Sequence, residues 1–172
     1  MSMPVIVDDG ETVARILHRE WIVDGELQIY AFALRKNETY ISVNRPSVAS
    51  FESDVLDFII EHPVYRSESD SLSFKQAELN VCEIRNITSD LGELSIDVSV
   101  EVEPRDSHYK SHAGIFTRIE GRNIKGGQQQ MLITDNGKVV SYEAIQLKVQ
   151  YALLALSNLK NCQLSRQADS QQ

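Results

Sequence analysis

The residues best equipped for chemistry are a scattered set of arginines and histidines: Arg15, His18, Arg45 and His112. A guanidinium presents a planar fork that matches a carboxylate or phosphate, and an imidazole changes charge near neutral pH. Brought together at strand ends, they would bind an anion or move protons for it, with Asp24 orienting one imidazole. The candidate catalytic residues are therefore His18, Arg45 and His112. The competing expectation is that Arg45 ends a strand in solvent and His18 packs at a sheet edge, the commoner fate of these residue types.

Other constellations are incomplete. His108 and His112 have the spacing that puts two imidazoles on one helical face. Pro104, Asp106, Ser107 and Ser111 mark that segment as loop, however, and no third ligand is near in sequence. Gly137-Lys138 lacks the upstream glycine of a phosphate loop, since Leu132 stands there. No Gly-x-Ser-x-Gly occurs. Cys82 and Cys162 form no paired metal spacing; Cys82 reads as a small buried apolar residue, and Cys162 as lying past the last helix. No metal and no cofactor is expected.

The elements that must position these residues follow from periodicity. Residues 12 to 23 are ambiguous between helix and strand. Asp24-Gly25 is a hairpin turn. Leu27 to Leu34 is apolar in both alternating sets, which predicts a strand buried on both faces. Tyr40 to Asn44 alternates as a strand. After Pro46, Ser47 is positioned to cap a helix carrying Val48, Phe51, Val55, Phe58 and Ile59, ending at His62 before Pro63. Glu78 to Ile87 predicts a strand with a bulge near Cys82. After a turn at Leu91-Gly92, Leu94 to Val102 alternates strictly. Its Ser95, Asp97, Ser99, Glu101 and Glu103 are predicted to face water. Ala113 to Ile119 is another strand, Met131 to Thr134 a short one, and Asp135-Asn136-Gly137 a turn.

Ser141 caps a C-terminal helix with Glu143 in its first turn, where the dipole favours an acid. Ile145, Val149, Ala152, Leu153, Leu156 and Leu159 form its main stripe. Leu147, Tyr151 and Leu154 form a second stripe, broader than one sheet face covers. These three are the candidate binding residues, for a second copy of the chain or another protein. Deep burial of the whole helix is the competing expectation.

Bulk chemistry narrows the class. Seventeen basic and 25 acidic residues give a formal charge of −8, which disfavours nucleic acid. Arg105, Lys110, Arg118, Arg122 and Lys125 make one locally basic stretch, read as a solvated strand edge. No run is long and apolar enough to span a membrane, and no secretory pattern is seen, so the cytoplasm is the expected location.

One set of short motifs has a counterpart. Arg15-x-x-His18, the Asp24-Gly25 turn, Ala31-Phe32, Ser42-Val43-x-Arg45 and His112-Ala113-x-Ile115 together resemble a pattern of small uncharacterised bacterial proteins. The resemblance covers about a fifth of the chain at the front and a few later residues. It implies a bacterial cytosolic origin and carries no assigned activity. Gly114 and the long C-terminal helix lie outside the pattern.

The expected fold is α+β: a mostly antiparallel sheet of five to seven strands with two main helices packed on one face. Residues 1–163 form one domain, and 164–172 a polar flexible tail. The expected function is a noncatalytic binding or assembly module, the alternative being an enzyme acting on an anionic substrate through a His/Arg cluster.

Overall fold

Strand β1 (Thr12–Ile16) is held on one side by β5 (Ser73–Asn80) and touches β4 (Tyr40–Asn44) on the other. A computed structural model of the protein describes residues 3–87, 95–102, 109–133 and 137–164. Between β1 and β4 run a 3-10 turn at Arg19–Trp21, a small hairpin of β2 (Ile22–Val23) and β3 (Glu26–Leu27), and a second 3-10 turn at Ile29–Phe32. Then come helix α1 (Phe51–Glu61), a 3-10 turn at Pro63–Tyr65, β5, the short helix α2 (Val81–Arg85), β6 (Ile96–Val102) and β7 (His112–Ile119). The chain finishes with β8 (Arg122–Asn123), β9 (Met131–Ile133), β10 (Val139–Ser141), helix α3 (Tyr142–Leu156) and β11 (Asn158–Gln163).

The fold is α+β. One antiparallel sheet of seven strands has the order β11-β5-β1-β4-β7-β6, with β8 paired to β7. Strand alternation sends its two faces to different partners. Val13, Val43, Leu79, Val100 and Ile115 meet Val149 and Leu153 of α3, together with Val81 and Ile84 of α2. Ile16 and Phe74, on the opposite face, meet Val55 and Ile59 of α1. The two main helices therefore cover opposite faces, not one. The mixed burial of β1 is the reason: Val13, Ala14 and Ile16 are all buried, so neither side of that strand faces bulk water.

Several elements differ from the sequence expectation. Leu27 to Leu34 is no strand; Ile29 to Phe32 close a tight turn, and Tyr30 is exposed. An apolar run fits a buried turn as well as a buried strand, because periodicity does not separate them. The strand expected at Glu78 to Ile87 stops at Asn80. The Asn80 side chain accepts a 3.2 Å hydrogen bond from the Glu83 amide and starts α2, whose Val81 and Ile84 are buried at helical spacing. Cys82 consequently points outward, exposed rather than buried. The helix α1 starts after Ser50, not Ser47, whose hydroxyl instead donates 2.6 Å to Glu11.

On β6, Ser99 and Glu101 are buried, contrary to the alternation, because Arg118 of the neighbouring strand and Ser99 both donate to the Glu101 carboxylate. The outer edge of β6 is covered by the N-terminal segment, where the Val7 amide donates to Val100 at 2.9 Å. Helix α3 starts as expected, the Ser141 hydroxyl accepting from the Ala144 amide at 3.0 Å. It ends at Leu156, and Leu159 and Cys162 belong to β11, an edge strand paired along β5. The Leu91-Gly92 turn, Pro104, His108, Asp135-Asn136 and the tail beyond Leu164 lie outside the described residues.

Candidate anion-binding cavity

The sheet is opened where β1 meets β4. Strand β1 pairs with β5 at five positions and β4 pairs with β7 at five, but β1 and β4 share one register pair, Ala14 with Asn44. Beyond that point the strands diverge, and the carbonyls on the facing edges need donors. Arg15 supplies one to β4. Its Nη1 donates to the Ser42 carbonyl at 2.7 Å, and its Nε donates to the Ala31 carbonyl at 2.7 Å. The guanidinium also lies 4.7 Å from the centre of the Trp21 ring.

Over this opening is a cavity of about 430 Å³. Arg15, Ile16, Ile41 and Ser42 line it from the sheet, Phe58 and Tyr65 from α1 and the turn after it, and Tyr40 and His112 from β4 and β7. Arg35 and Glu38 line it from the loop before β4. The volume falls within the range of small-molecule sites, and the lining mixes the rings of Tyr40, Phe58 and Tyr65 with the charged Arg15, Arg35 and Glu38.

Two close backbone approaches hold the walls. A Cβ on Gly114 would stand 2.7 Å from the Tyr40 ring, so the ring rests on bare backbone. A Cβ on Gly126 would stand 1.8 Å from the Arg35 carbonyl, so the loop carrying Arg35 and Glu38 docks against a residue that must be glycine. That docking is sealed by the Gly126 amide donating to the Glu38 carbonyl and the Asn37 amide donating to the Gly126 carbonyl, both at 2.9 Å. On the helix side, buried Asp54 accepts from the Ser111 amide at 3.0 Å and from its hydroxyl at 2.6 Å. This bond fixes the residue before His112, and Ser111 in turn accepts from Asn44 at 3.0 Å.

The electrostatics centre on Arg15. Burial pushes its guanidinium down to about 10, against small upward contributions from Tyr65 and Glu38. The ion pairs among the described residues leave Arg15 without a carboxylate, whereas Arg45 has Glu11, Arg118 has Glu101 and Lys160 has Glu78. A part-buried cation without a counter-ion is costly, and an anionic ligand would remove that cost.

The expected site residues separate. His112 lines the cavity, its Nε2 3.2 Å from the Ser42 hydroxyl. His18 does not line it; its Nδ1 accepts from the Glu20 amide at 3.1 Å, and its ring packs 5.3 Å from Tyr65 behind the wall. Arg45 also stands outside, held by a two-pronged bond to Glu11 at 2.8 and 3.0 Å. Asp24 sits in the β2–β3 turn with a positive φ and orients neither ring by any hydrogen bond observed. Arg15, grouped with these residues by sequence, lines the cavity as His112 does. Arg35, Phe58, Tyr65 and Tyr109 carried no sequence signal for this role, because they join the cavity through tertiary packing. Of the helix residues, Leu147 is 44% exposed and Tyr151 is 58% exposed, while Leu154 is partly covered against the main core. The basic stretch contributes no second anion site at Arg118, which is committed to Glu101.

Among the described residues no group of three or more His, Cys, Asp or Glu side chains is arranged to hold a metal, and no helix is long and apolar enough to cross a membrane. Comparison of the chain with protein-family models, with curated proteins and with solved structures returns no match.

Proposed function

We propose that the protein is a noncatalytic binding module whose cavity takes a small organic anion on Arg15. The carrying observation is the guanidinium of Arg15, drawn into the lining of a cavity of about 430 Å³ and bonded to two backbone carbonyls but, among the described residues, to no carboxylate. An arginine kept for structure alone is usually paired with an acid when buried, as Arg118 is here. Catalysis by His18, Arg45 and His112 together has less support, since Arg45 is neutralised by Glu11 and His18 lies behind Tyr65.

The test is calorimetric titration of the full chain and of Arg15→Gln with a series of small organic anions and their neutral amides. Saturable binding of at least one anion, weakened about tenfold or more in the variant, is expected. Equal binding of anion and amide would overturn the proposal.

A second reading keeps an assembly role for α3. The exposure of Leu147 and Tyr151 favours it. A concentration-dependent dimer by sedimentation, abolished by Tyr151→Lys, is its expected result.

A further inference from the structure

We infer that the anion is an aromatic monocarboxylate, seated with its carboxylate on Arg15 and its ring between the aromatic walls. This deepens the proposed binding function and rests on it.

Three features select this class. The first is donor geometry. A guanidinium has five N–H donors in a rigid fork. Arg15 spends one on Ala31 and one on Ser42, through Nε and Nη1. One N–H on Nη1 and both on Nη2 remain, enough donors for a two-pronged grip on a carboxylate. The two carbonyl bonds also hold the fork still, so little side-chain entropy is lost when a ligand docks.

Charge is the second feature. The cavity lining carries Arg15 and Arg35 against Glu38, two positive charges and one negative, beside the His112 imidazole. Beyond it, Tyr109 is held above its ordinary range by burial and by the charges of Glu61 and Asp57. The field behind that wall is therefore acidic. One negative charge is compensated; a phosphate monoester, which carries nearly two, leaves one uncompensated near those carboxylates.

The third feature is shape and polarity away from Arg15. Phe58 and Tyr65 stand with ring centres 4.7 Å apart on the helix side, and the Tyr40 ring packs against the bare backbone of Gly114 on the sheet side. Ile16 and Ile41 complete an apolar surface. A planar ring gains from such walls both by area and by edge or face contacts. A short aliphatic acid leaves them wet.

The experiment is calorimetric titration of the full chain with benzoate, phenyl phosphate, benzamide and acetate, repeated with Arg15→Gln and Arg15→Lys. Benzoate is expected to saturate the site, with phenyl phosphate, benzamide and acetate each weaker by about tenfold or more. Arg15→Lys keeps the charge but loses the fork, and is expected to weaken benzoate by about fivefold or more. The wild-type ranking stands on its own should either variant fail to fold. Phenyl phosphate binding as tightly as benzoate, in an Arg15-dependent way, would leave the anion cavity standing and sink the monocarboxylate class. Acetate matching benzoate would sink the aromatic part in the same way. Benzamide matching benzoate, or no saturation by any of the four at about 10 mM, would bring down the class and the anion cavity together.

Discussion

Replacing Arg15 by methionine separates a ligand-binding arginine from a structural one. Two backbone carbonyls lose charged donors, bonds worth about 1.5–3 kcal/mol each, and the contact with Trp21 contributes about 0.5–1 kcal/mol. The Ser42 carbonyl borders the cavity, where water replaces the donor and the loss falls at the low end, whereas Ala31 is fully buried and its carbonyl loses the donor at the high end. Against them stands the cost of holding the guanidinium out of water. Its fall from 12.5 to about 10 corresponds to about 3 kcal/mol at the standard conversion. Loss exceeds gain by a modest margin, so Arg15→Met is expected to lower the unfolding free energy by about 1–2 kcal/mol. Arg118 is the internal control. It bonds Glu101, which is 4% exposed, and Arg118→Met leaves that carboxylate buried without its counter-ion, held among the described residues by Ser99 only. A loss of about 3–5 kcal/mol is expected there. Urea unfolding at pH 7, followed by far-UV circular dichroism, measures both. A loss for Arg15→Met equal to that for Arg118→Met would refute the reasoning, because Arg15 would then be a strut for the opened sheet.

Three further perturbations probe the walls and the buried pair. Gly114→Ala drives a methyl group to 2.7 Å from the Tyr40 ring; a stability loss of about 1–3 kcal/mol and about tenfold weaker benzoate binding are expected, read by urea unfolding and calorimetry. Gly126→Ala collides with the Arg35 carbonyl, a backbone atom with no rotamer to escape into; about 3 kcal/mol is expected, a Tm drop of about 6–12 °C by calorimetric scan. The third concerns pH. Burial raises the Glu101 carboxyl, but hydrogen bonds from Arg118 and Ser99 outweigh it and hold the group below the ordinary range. Its contribution is therefore fully present above about pH 4.3 and is lost as pH falls through the folded value. Glu11 behaves alike, lowered chiefly by its bond from Arg45. Glu101→Gln is expected to flatten the fall of the urea midpoint between about pH 5 and pH 3; an unchanged slope would show that Glu101 is not the group responsible.

The sequence carries the fold unevenly, and the reasons are local. Tyr40 to Asn44 and Ala113 to Ile119 were legible as strands, and Ser141 with Glu143 as a helix start, because each signal is complete within a few residues. Ser99 and Glu101 misled because their burial depends on Arg118 from another strand, which no alternation encodes. The run Leu27 to Leu34 misled because apolar residues satisfy a buried turn and a buried strand alike. Strand β11 was invisible: Asn158 to Gln163 has polar residues at most positions and lies at the sheet edge, where few side chains are covered.

The cavity was half legible. Arg15, Ser42 and His112 fall within the short motifs, and all three line the cavity, whereas His18 and Arg45 do not. What no motif states is that β1 and β4 share one register pair, and that Arg15 beside it lines a cavity. Phe58, Tyr65 and Tyr109 arrive there through the packing of α1 and of the Ser111 loop on Asp54, contacts that span up to 57 positions in sequence.

The most direct measurement is a crystal structure of the full chain soaked with benzoate. The account predicts a carboxylate with its oxygens about 2.7–2.9 Å from the Arg15 Nη atoms, and the ring between Tyr40 and the Phe58–Tyr65 wall. An empty cavity at saturating benzoate, or a ligand seated with its ring toward Arg15 and its carboxylate in solvent, would contradict it.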